Sequence, residues 1–259
     1  MNKRRLASSL MGALLVAMFL PNVAAASSVG SCGSGGSNAY HSGEDPNAIR
    51  YGIAADIEVF RWTVSNPNNF YPCNPDDNAG TNASGANIGI SHGLLWANVW
   101  VEVGVIACNS SQPAYWGAWP LGLCDGRTHV FVEQHGAAPW DYNMWDEGCI
   151  CDDNVHTYSI SYYGGKFNTF LDGVGLIAVD MGAGLSPTNT NTFYWQAETQ
   201  DPGDGLGTSA KATNIGEMRT KLDTGTWSYH PVNGACDVLD SQQHCVANGT
   251  YGFYAYTVN

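Results

Sequence analysis

The stretch Trp96-Ala-Asn-Val-Trp-Val-Glu-Val-Gly104, WANVWVEVG, decides the fold. Side chains alternate across a strand. When the run is extended to 94–107, one parity carries Ala97, Val99, Val101, Val103 and Val105. That unbroken small apolar face fits the interior between two stacked sheets. The other parity carries Trp96, Asn98, Trp100, Glu102 and Gly104. The run therefore predicts a strand with one face in a core and the other built of tryptophan, amide and carboxylate.

The same texture runs along most of the chain. Runs of Val, Ile, Tyr, Phe, Trp and Thr alternate with Gly/Asn/Asp/Pro clusters, which predicts strands at 54–64, 86–91, 94–107, 114–119, 128–134, 156–163, 166–171, 174–180, 192–199 and 251–258. Tyr163-Gly-Gly-Lys166 and Leu171-Asp-Gly-Val174 read as tight turns, because glycine accepts the positive φ such turns need. Amphipathic helix is scarce; 214–221 is the one segment read as a turn or two of helix. So many strands in one unit call for two packed antiparallel sheets, a sandwich or jelly roll, over residues 49–259.

Ahead of that domain, Lys3, Arg4 and Arg5 precede an apolar Leu10–Leu20 and the small residues Val23-Ala-Ala-Ala26, the pattern of a secretory signal peptide over 1–26. Residues 27–48 are Ser/Gly-rich and read as an extended lead-in. Cys32 lies too far past the apolar core for a lipoprotein site. Export fits the eight cysteines, Cys32, Cys73, Cys108, Cys124, Cys149, Cys151, Cys236 and Cys245, an even number expected to staple the fold as disulfides. Their pairing does not follow from sequence; nearest neighbours give Cys108–Cys124 and Cys236–Cys245. Cys149-Ile-Cys151 has no second pair of zinc-binding spacing, so no metal or cofactor is expected. Removing Lys3, Arg4 and Arg5 takes the net charge from −13 to −16. That balance excludes the basic footprint of nucleic-acid binding and suits a secreted monomer, free of the membrane once its leader is gone.

The functional candidates come from the parity opposite the core. In Thr192-Phe-Tyr-Trp-Gln-Ala-Glu-Thr199, Phe193, Trp195 and Ala197 face one way. Thr192, Tyr194, Gln196 and Glu198 face the other. Here too a glutamate stands beside an aromatic ring and an amide. His129-Val-Phe-Val-Glu-Gln134 puts Glu133 with His129 and Phe131, and Asp56 shares a side with Glu58. A solvated strand face is the simpler account of Glu58 and Glu133 and of His129 and His135, although Glu133 stays among the groove residues. Glu102 is different, because its neighbours on that face are tryptophans. Two carboxylates facing one groove split their pKa values, giving an acid and a base for hydrolysis. On this reading Glu102 and Glu198 are catalytic, and Trp96, Asn98, Trp100, Tyr194, Gln196 and Glu133 bind substrate.

Two resemblances bear on this. His156-Thr-Tyr-Ser-Ile followed by Phe170-Leu-Asp172-Gly-Val174 resembles a hairpin of concanavalin-like β-sandwiches, which implies fold and not activity. Trp100-Val-Glu102-Val-Gly104, with Tyr194-Trp-Gln-Ala-Glu198-Thr and Asn214-Ile-Gly-Glu-Met218, resembles the two catalytic segments of neprosin-type glutamic peptidases; the related eqolisins share the sandwich. The resemblance implies an acid-active secreted peptidase with Glu102 and Glu198 as its dyad and a polypeptide substrate. Val105 stands where that family carries Trp, and Gln196-Ala197 where it carries Gly-Gly. The alternatives are a glycosidase using the same glutamates on a polysaccharide, or a lectin-like module stacking sugars on Trp96, Trp100, Trp116 and Trp119.

Overall fold

The chain answers the alternating pattern with strands. The computed structural model describes residues 37–43, 49–60, 70–71, 82–92, 99–109, 125–136, 142–150, 152–182, 184–199, 205–232, 237–238 and 243–257. Seventeen strands occur among them: β1 (Ser37–Gly43), β2 (Arg50–Glu58), β3 (Phe70–Tyr71), β4 (Asn82–His92), β5 (Val99–Asn109), β6 (Asp125–His135), β7 (Tyr142–Cys149), β8 (His156–Tyr163) and β9 (Lys166–Leu171). They continue with β10 (Val174–Val179), β11 (Asn191–Thr199), β12 (Gly205–Thr208), β13 (Lys211–Leu222), β14 (Trp227–Tyr229), β15 (Asp237–Val238), β16 (Gln243–Ala247) and β17 (Phe253–Thr257). No helix occurs among the described residues.

The strands form two antiparallel sheets. The first runs β15-β1-β11-β4-β5-β6-β7. The second runs β10-β9-β8-β2-β13-β12-β3, with β14 and β17 also on β13 and β16 on β17. The core lies between them, where β2 crosses β4 and β8 crosses β5. The first sheet contributes Ile88, Ile90, Val101, Val103, Val105, Val130, Val132, Phe193 and Trp195; the second contributes Ile53, Ile57, Tyr158, Ile160, Phe167, Ile215 and Phe253. Each such side chain adds roughly 1.5–3 kcal/mol when fully removed from water. Trp195 also donates its indole N–H across the core to the Ala54 carbonyl at 3.1 Å. The valine parity of 99–105 is thus the core side of β5, as its sequence requires.

The two turns also form. Gly164 and Gly165 carry φ of 61° and 79° between β8 and β9, and Asp172 and Gly173 carry 49° and 79° before β10. His156 and Asp172, the outer residues of the concanavalin-like pattern, meet: His156 Nδ1 lies 2.7 Å from Asp172 Oδ2. Asp172 Oδ1 accepts the Thr157 backbone N–H at 2.8 Å. Histidine and aspartate therefore pin the second turn to the start of β8.

Several expectations need correction or lie out of reach. Segment 214–221 is not helical. It is the middle of β13, whose Thr213, Ile215, Met218 and Thr220 are buried. A bulge between Gly216 and Arg219 shifts its register against β2 and interrupts the period-two signal that marks a strand. The lead-in 27–48 contributes β1, which pairs with β11 along its whole length. Strands β3, β7, β12, β14, β15 and β16 have no counterpart among the predicted segments. Cys149 and Cys245 are disulfide-bonded. The leader, the segment 114–119 with Trp116 and Trp119, and the residues Ala97, Trp96, Asn98, Cys124 and Cys236 lie outside the described residues.

Candidate active site

The outward face of the first sheet is a lattice of four rows, each crossing β6, β5, β4 and β11. Strand register sets each row. The first holds His135, Trp100, Ser91 and Thr192. The second holds Glu133, Glu102, Gly89 and Tyr194. The third holds Phe131, Gly104, Asn87 and Gln196, and the fourth His129, Ile106, Gly85 and Glu198. Of the candidates read from sequence, Glu102, Glu198, Trp100, Tyr194, Gln196 and Glu133 therefore share one face.

The face is closed rather than open. Glu102, Glu133 and Glu198 are 2, 1 and 5% exposed, and Asn87, Ser91, Tyr194 and Gln196 are also buried. Trp100 is half-buried, its ring stacked on His135 at 4.2 Å and 6°. The sequence reading expected an exposed groove; the polarity of the face is as read, its exposure is not.

Three glycines shape the interior of this face. A Cβ at Gly89 would lie 2.1 Å from Tyr194 Cζ, so the tyrosine ring crosses the space that glycine vacates. Tyr194 thereby reaches over β4 and donates its hydroxyl to Glu102 Oε1 at 2.5 Å. A Cβ at Gly85 would meet Glu198 Cγ at 3.2 Å, so Glu198 leans across β4 in the same way. Gly104 lets Asn87 pack on β5, where a Cβ would meet Asn87 Cβ at 2.6 Å. Asn87 in turn donates to Glu198 Oε1 at 3.4 Å, and Trp100 Nε1 to Glu133 Oε1 at 3.2 Å. The signal was in the sequence: in Ser84-Gly-Ala-Asn-Ile-Gly-Ile-Ser91, Gly85, Asn87, Gly89 and Ser91 all fall on one parity. Read as a strand opposite WANVWVEVG, that run announces a face cleared for its neighbours' side chains.

The polar groups are incompletely satisfied. Among the described residues, six buried side-chain polar atoms lack a partner, and five of them lie here: Asn87 Oδ1, Ser91 Oγ, Glu102 Oε2, Gln196 Nε2 and Glu198 Oε2. Leaving such a group unpaired costs about 1–3 kcal/mol each. Folded proteins keep few of them, so a cluster of five calls for an explanation.

Protonation follows. Burial drives Glu102 up from 4.5 to about 7, against the opposing Tyr194 hydrogen bond. Burial drives Glu198 well above the carboxylate range; the charges of Glu102 and Glu133 add to that, and the Asn87 bond opposes it. Tyr194 is raised by burial and by Glu102, so its hydroxyl stays protonated and donates. Near neutrality Glu198 is thus the proton holder and Glu102 is poised to gain or lose one.

Glu102 faces Glu133 directly on the neighbouring strand. Glu198 stands further off: its row is four residues from that of Glu102, about 14 Å along the strands, and two strands away, about 10 Å across. The lean of Glu198 across β4 narrows that gap, and Glu102 is close enough to shift Glu198. The arrangement is two carboxyl groups of unequal acidity with a gap between them, flanked by the amides of Asn87 and Gln196. At the edge, His129 Nδ1 lies 2.9 Å from Asp146 Oδ1. No group of acidic, His or Cys side chains among the described residues is arranged to hold a metal ion.

No protein-family description matches the chain, and no curated protein sequence does. Among solved structures, the chain is similar to an alginate lyase at 12% identity and TM-score 0.36, over 60% of this chain and 63% of that one. It is similar to a glycoside hydrolase family 16 endo-glucanase from Bacteroides ovatus at 13% and 0.32, over 63% and 65%. A third likeness is to a carbohydrate-binding module from Bacillus subtilis, at 10% and 0.30, over 62% and 77%. The chain spans less than two thirds of the lyase and of the glucanase. At such values the likeness assigns no residue a role.

Proposed function

We propose that this protein is a hydrolase in which Glu198 is the general acid and Glu102 the general base, cleaving glycosidic bonds of a polysaccharide. The observation that carries the reading is the cluster of orphaned buried polar atoms on one face, with Glu102 Oε2 and Glu198 Oε2 both unengaged. A protonated Glu198 would give its proton to the leaving oxygen. Glu102, ionised above about pH 7, would take a proton from water. Tyr194 holds Glu102 through one oxygen and leaves the other for that water. Glu133 fixes the Trp100 indole, whose ring would stack on a sugar at the end of the groove. Because the glutamates are enclosed, whatever covers this face has to move before substrate enters.

A second reading has its own support. Gln196 Nε2 is an unpaired buried donor beside Glu198, placed as an oxyanion-stabilising amide would be in peptide hydrolysis. The resemblance of the Glu102 and Glu198 segments to neprosin-type peptidases points the same way. Both readings take the chain as an exported, disulfide-stapled, concanavalin-like jelly roll acting as a monomer.

The experiment is a parallel assay of the mature chain on soluble glucans, alginate and casein from pH 3 to 8, with Glu102→Gln and Glu198→Gln. The proposal expects glycan cleavage, with both variants slower by about 10²–10⁴-fold. Casein cleavage lost in both variants moves the function to the second reading. Glycan cleavage that survives Glu198→Gln removes the assigned acid.

A further inference from the structure

The other outward face, on the second sheet, carries a cleft of about 290 Å³ that the carboxylate chemistry does not use. Asp56, Asn214, Gly216, Glu217, Asn248 and Tyr251 line it. Asn214 pairs with Glu58 and Gly216 with Asp56, while the intervening Ile215–Ile57 pair is buried in the core. The cleft therefore lies across the whole core from Glu102 and Glu198.

The cleft is built from fixed parts. Its floor is Gly216, where a Cβ would find only Asn214 Oδ1, at 3.8 Å. Its wall is the turn at 248–251, held by Met218 N–H to the Tyr251 carbonyl at 2.9 Å and Val232 N–H to the Thr250 carbonyl at 2.8 Å. Gly252 brings that wall against β13, since a Cβ there would lie 2.6 Å from the Ile215 carbonyl oxygen. Glu217 sits in the β13 bulge at φ 50°, a conformation a non-glycine residue rarely takes. Its carboxylate is hydrogen-bonded by the Tyr229 hydroxyl. Tyr229 stacks on Tyr251 at 4.8 Å, and the two residues are 52% and 37% exposed. Two large exposed rings stacked at the mouth of a polar cleft add little to the core.

We propose that this cleft binds a neutral sugar unit, with its apolar C–H face on Tyr251 and its hydroxyls on Asp56, Glu217 and Asn248. A sugar needs an aromatic surface beside planar groups that accept and donate hydrogen bonds, and the cleft offers both. Its amides are pre-set: Asn248 Nδ2 donates to Asn214 Oδ1 at 2.9 Å. Asp56 Oδ1 already accepts from Thr157 at 2.7 Å and Arg219 at 3.1 Å, so Asp56 is held in place. An anionic ligand does not fit. The chain carries a net charge of −13, and the guanidinium of Arg219 is engaged by Asp56 and by the Glu217 carbonyl. The volume suits a small ligand at the lower end of the usual range, about 300 Å³.

The inference stands without the hydrolase reading. If both hold, the cleft anchors a polymer while the opposite face cleaves it. The test is isothermal titration of the full mature chain with neutral hexasaccharides of β-1,4-glucan, β-1,3-glucan and β-1,4-mannan, with alginate hexasaccharide, and with calcium chloride alone. Tyr251→Ala removes the platform and Gly216→Leu fills the floor; thermal unfolding checks that each variant folds, and Tyr251→Phe retains the ring. We expect saturable binding of at least one neutral hexasaccharide, weakened at least tenfold in the first two variants and kept in the third. The inference is overturned if no neutral hexasaccharide binds, if binding survives both Tyr251→Ala and Gly216→Leu, if Trp100→Ala alone abolishes it, or if only calcium gives a signal.

Discussion

On the outward face of the second sheet, charges are matched near water. Asp56 meets Arg219 there at 3.1 Å, and at the rim, where β8 begins on the parity of Tyr158 and Ile160, His156 sits between Asp152 at 2.9 Å and Asp172 at 2.7 Å. On the outward face of the first sheet, three glutamates are buried and two keep an oxygen with no partner. Screened pairs of the first kind contribute about 0–1 kcal/mol each. Buried groups of the second kind cost stability, and apolar residues would fill the same space more favourably. The contrast teaches that the two faces are built on opposite terms: one settles its charges in water, and the other buries carboxyl groups at a cost in stability, which the proposed function would account for.

The largest effect that would break this comparison is the dependence of stability on pH. The Glu102 pKa is raised on folding from 4.5 to about 7, so the folded state binds the extra proton. Stability from this group is full below pH 4.5 and declines as pH climbs to about 7. The loss amounts to about 3 kcal/mol at 1.36 kcal/mol per unit. Glu198 shifts the same way and extends the decline upward. Urea unfolding at a series of pH values should show this fall at constant m, and Glu102→Gln should remove its own share. A flat profile in the wild-type chain would mean the glutamates are solvated and the two faces alike.

A smaller change sharpens the comparison at one atom. Gly89→Ala places a Cβ 2.1 Å from Tyr194 Cζ and must push the ring aside. We expect a loss of about 1–3 kcal/mol, as for other overpacked interiors. Tyr194→Phe removes the hydroxyl without crowding. Since that hydrogen bond lowers the Glu102 pKa, its loss should move the acid-side limb of the activity profile, where activity rises as Glu102 ionises, to higher pH. If Tyr194→Phe leaves that limb in place, the tyrosine only packs.

How much of this was legible depends on what kind of signal each part carried. Strand alternation made Val101, Val103 and Val105 readable as core and Glu102 as their opposite, because period two is a local property. The same logic sorted Tyr194, Gln196 and Glu198 from Phe193, Trp195 and Ala197. It failed at 214–221, where a bulge at Glu217 breaks the period. Register was not legible at all. Glu133 stands directly opposite Glu102, nearer in the lattice than Glu198, and only the pairing of β5 with β6 reveals it. Burial was equally hidden, since alternation tells which side a residue faces and not what covers that side. The missed glycines of β4 were visible as letters, but their purpose depended on Glu198 and Tyr194, each over a hundred residues away.

The smallest effect concerns the clasp on the second sheet, and it tests whether matched surface charges matter at all. Burial pulls the His156 pKa down, but the hydrogen bonds and charges of Asp172 and Asp152 outweigh it, and the net shift is upward from 6.5. Both ring nitrogens face carboxylate oxygens, so the protonated ring satisfies both as a double donor. A raised histidine stabilises fully below its unfolded value and loses that contribution as pH rises through the folded one. This slope has the same sign as that of Glu102 but starts higher, above pH 6.5, so the variants separate them. The aspartate side chains are 47% and 49% exposed, and solvent screening keeps the contribution small. His156→Asn should lower Tm by roughly 1–2 °C at pH 5.5 and by less at pH 8. An equal loss at both pH values would assign His156 to packing. A loss several times larger would place the clasp among the elements that hold β8 to its turn, and the second sheet would no longer be the face with little at stake.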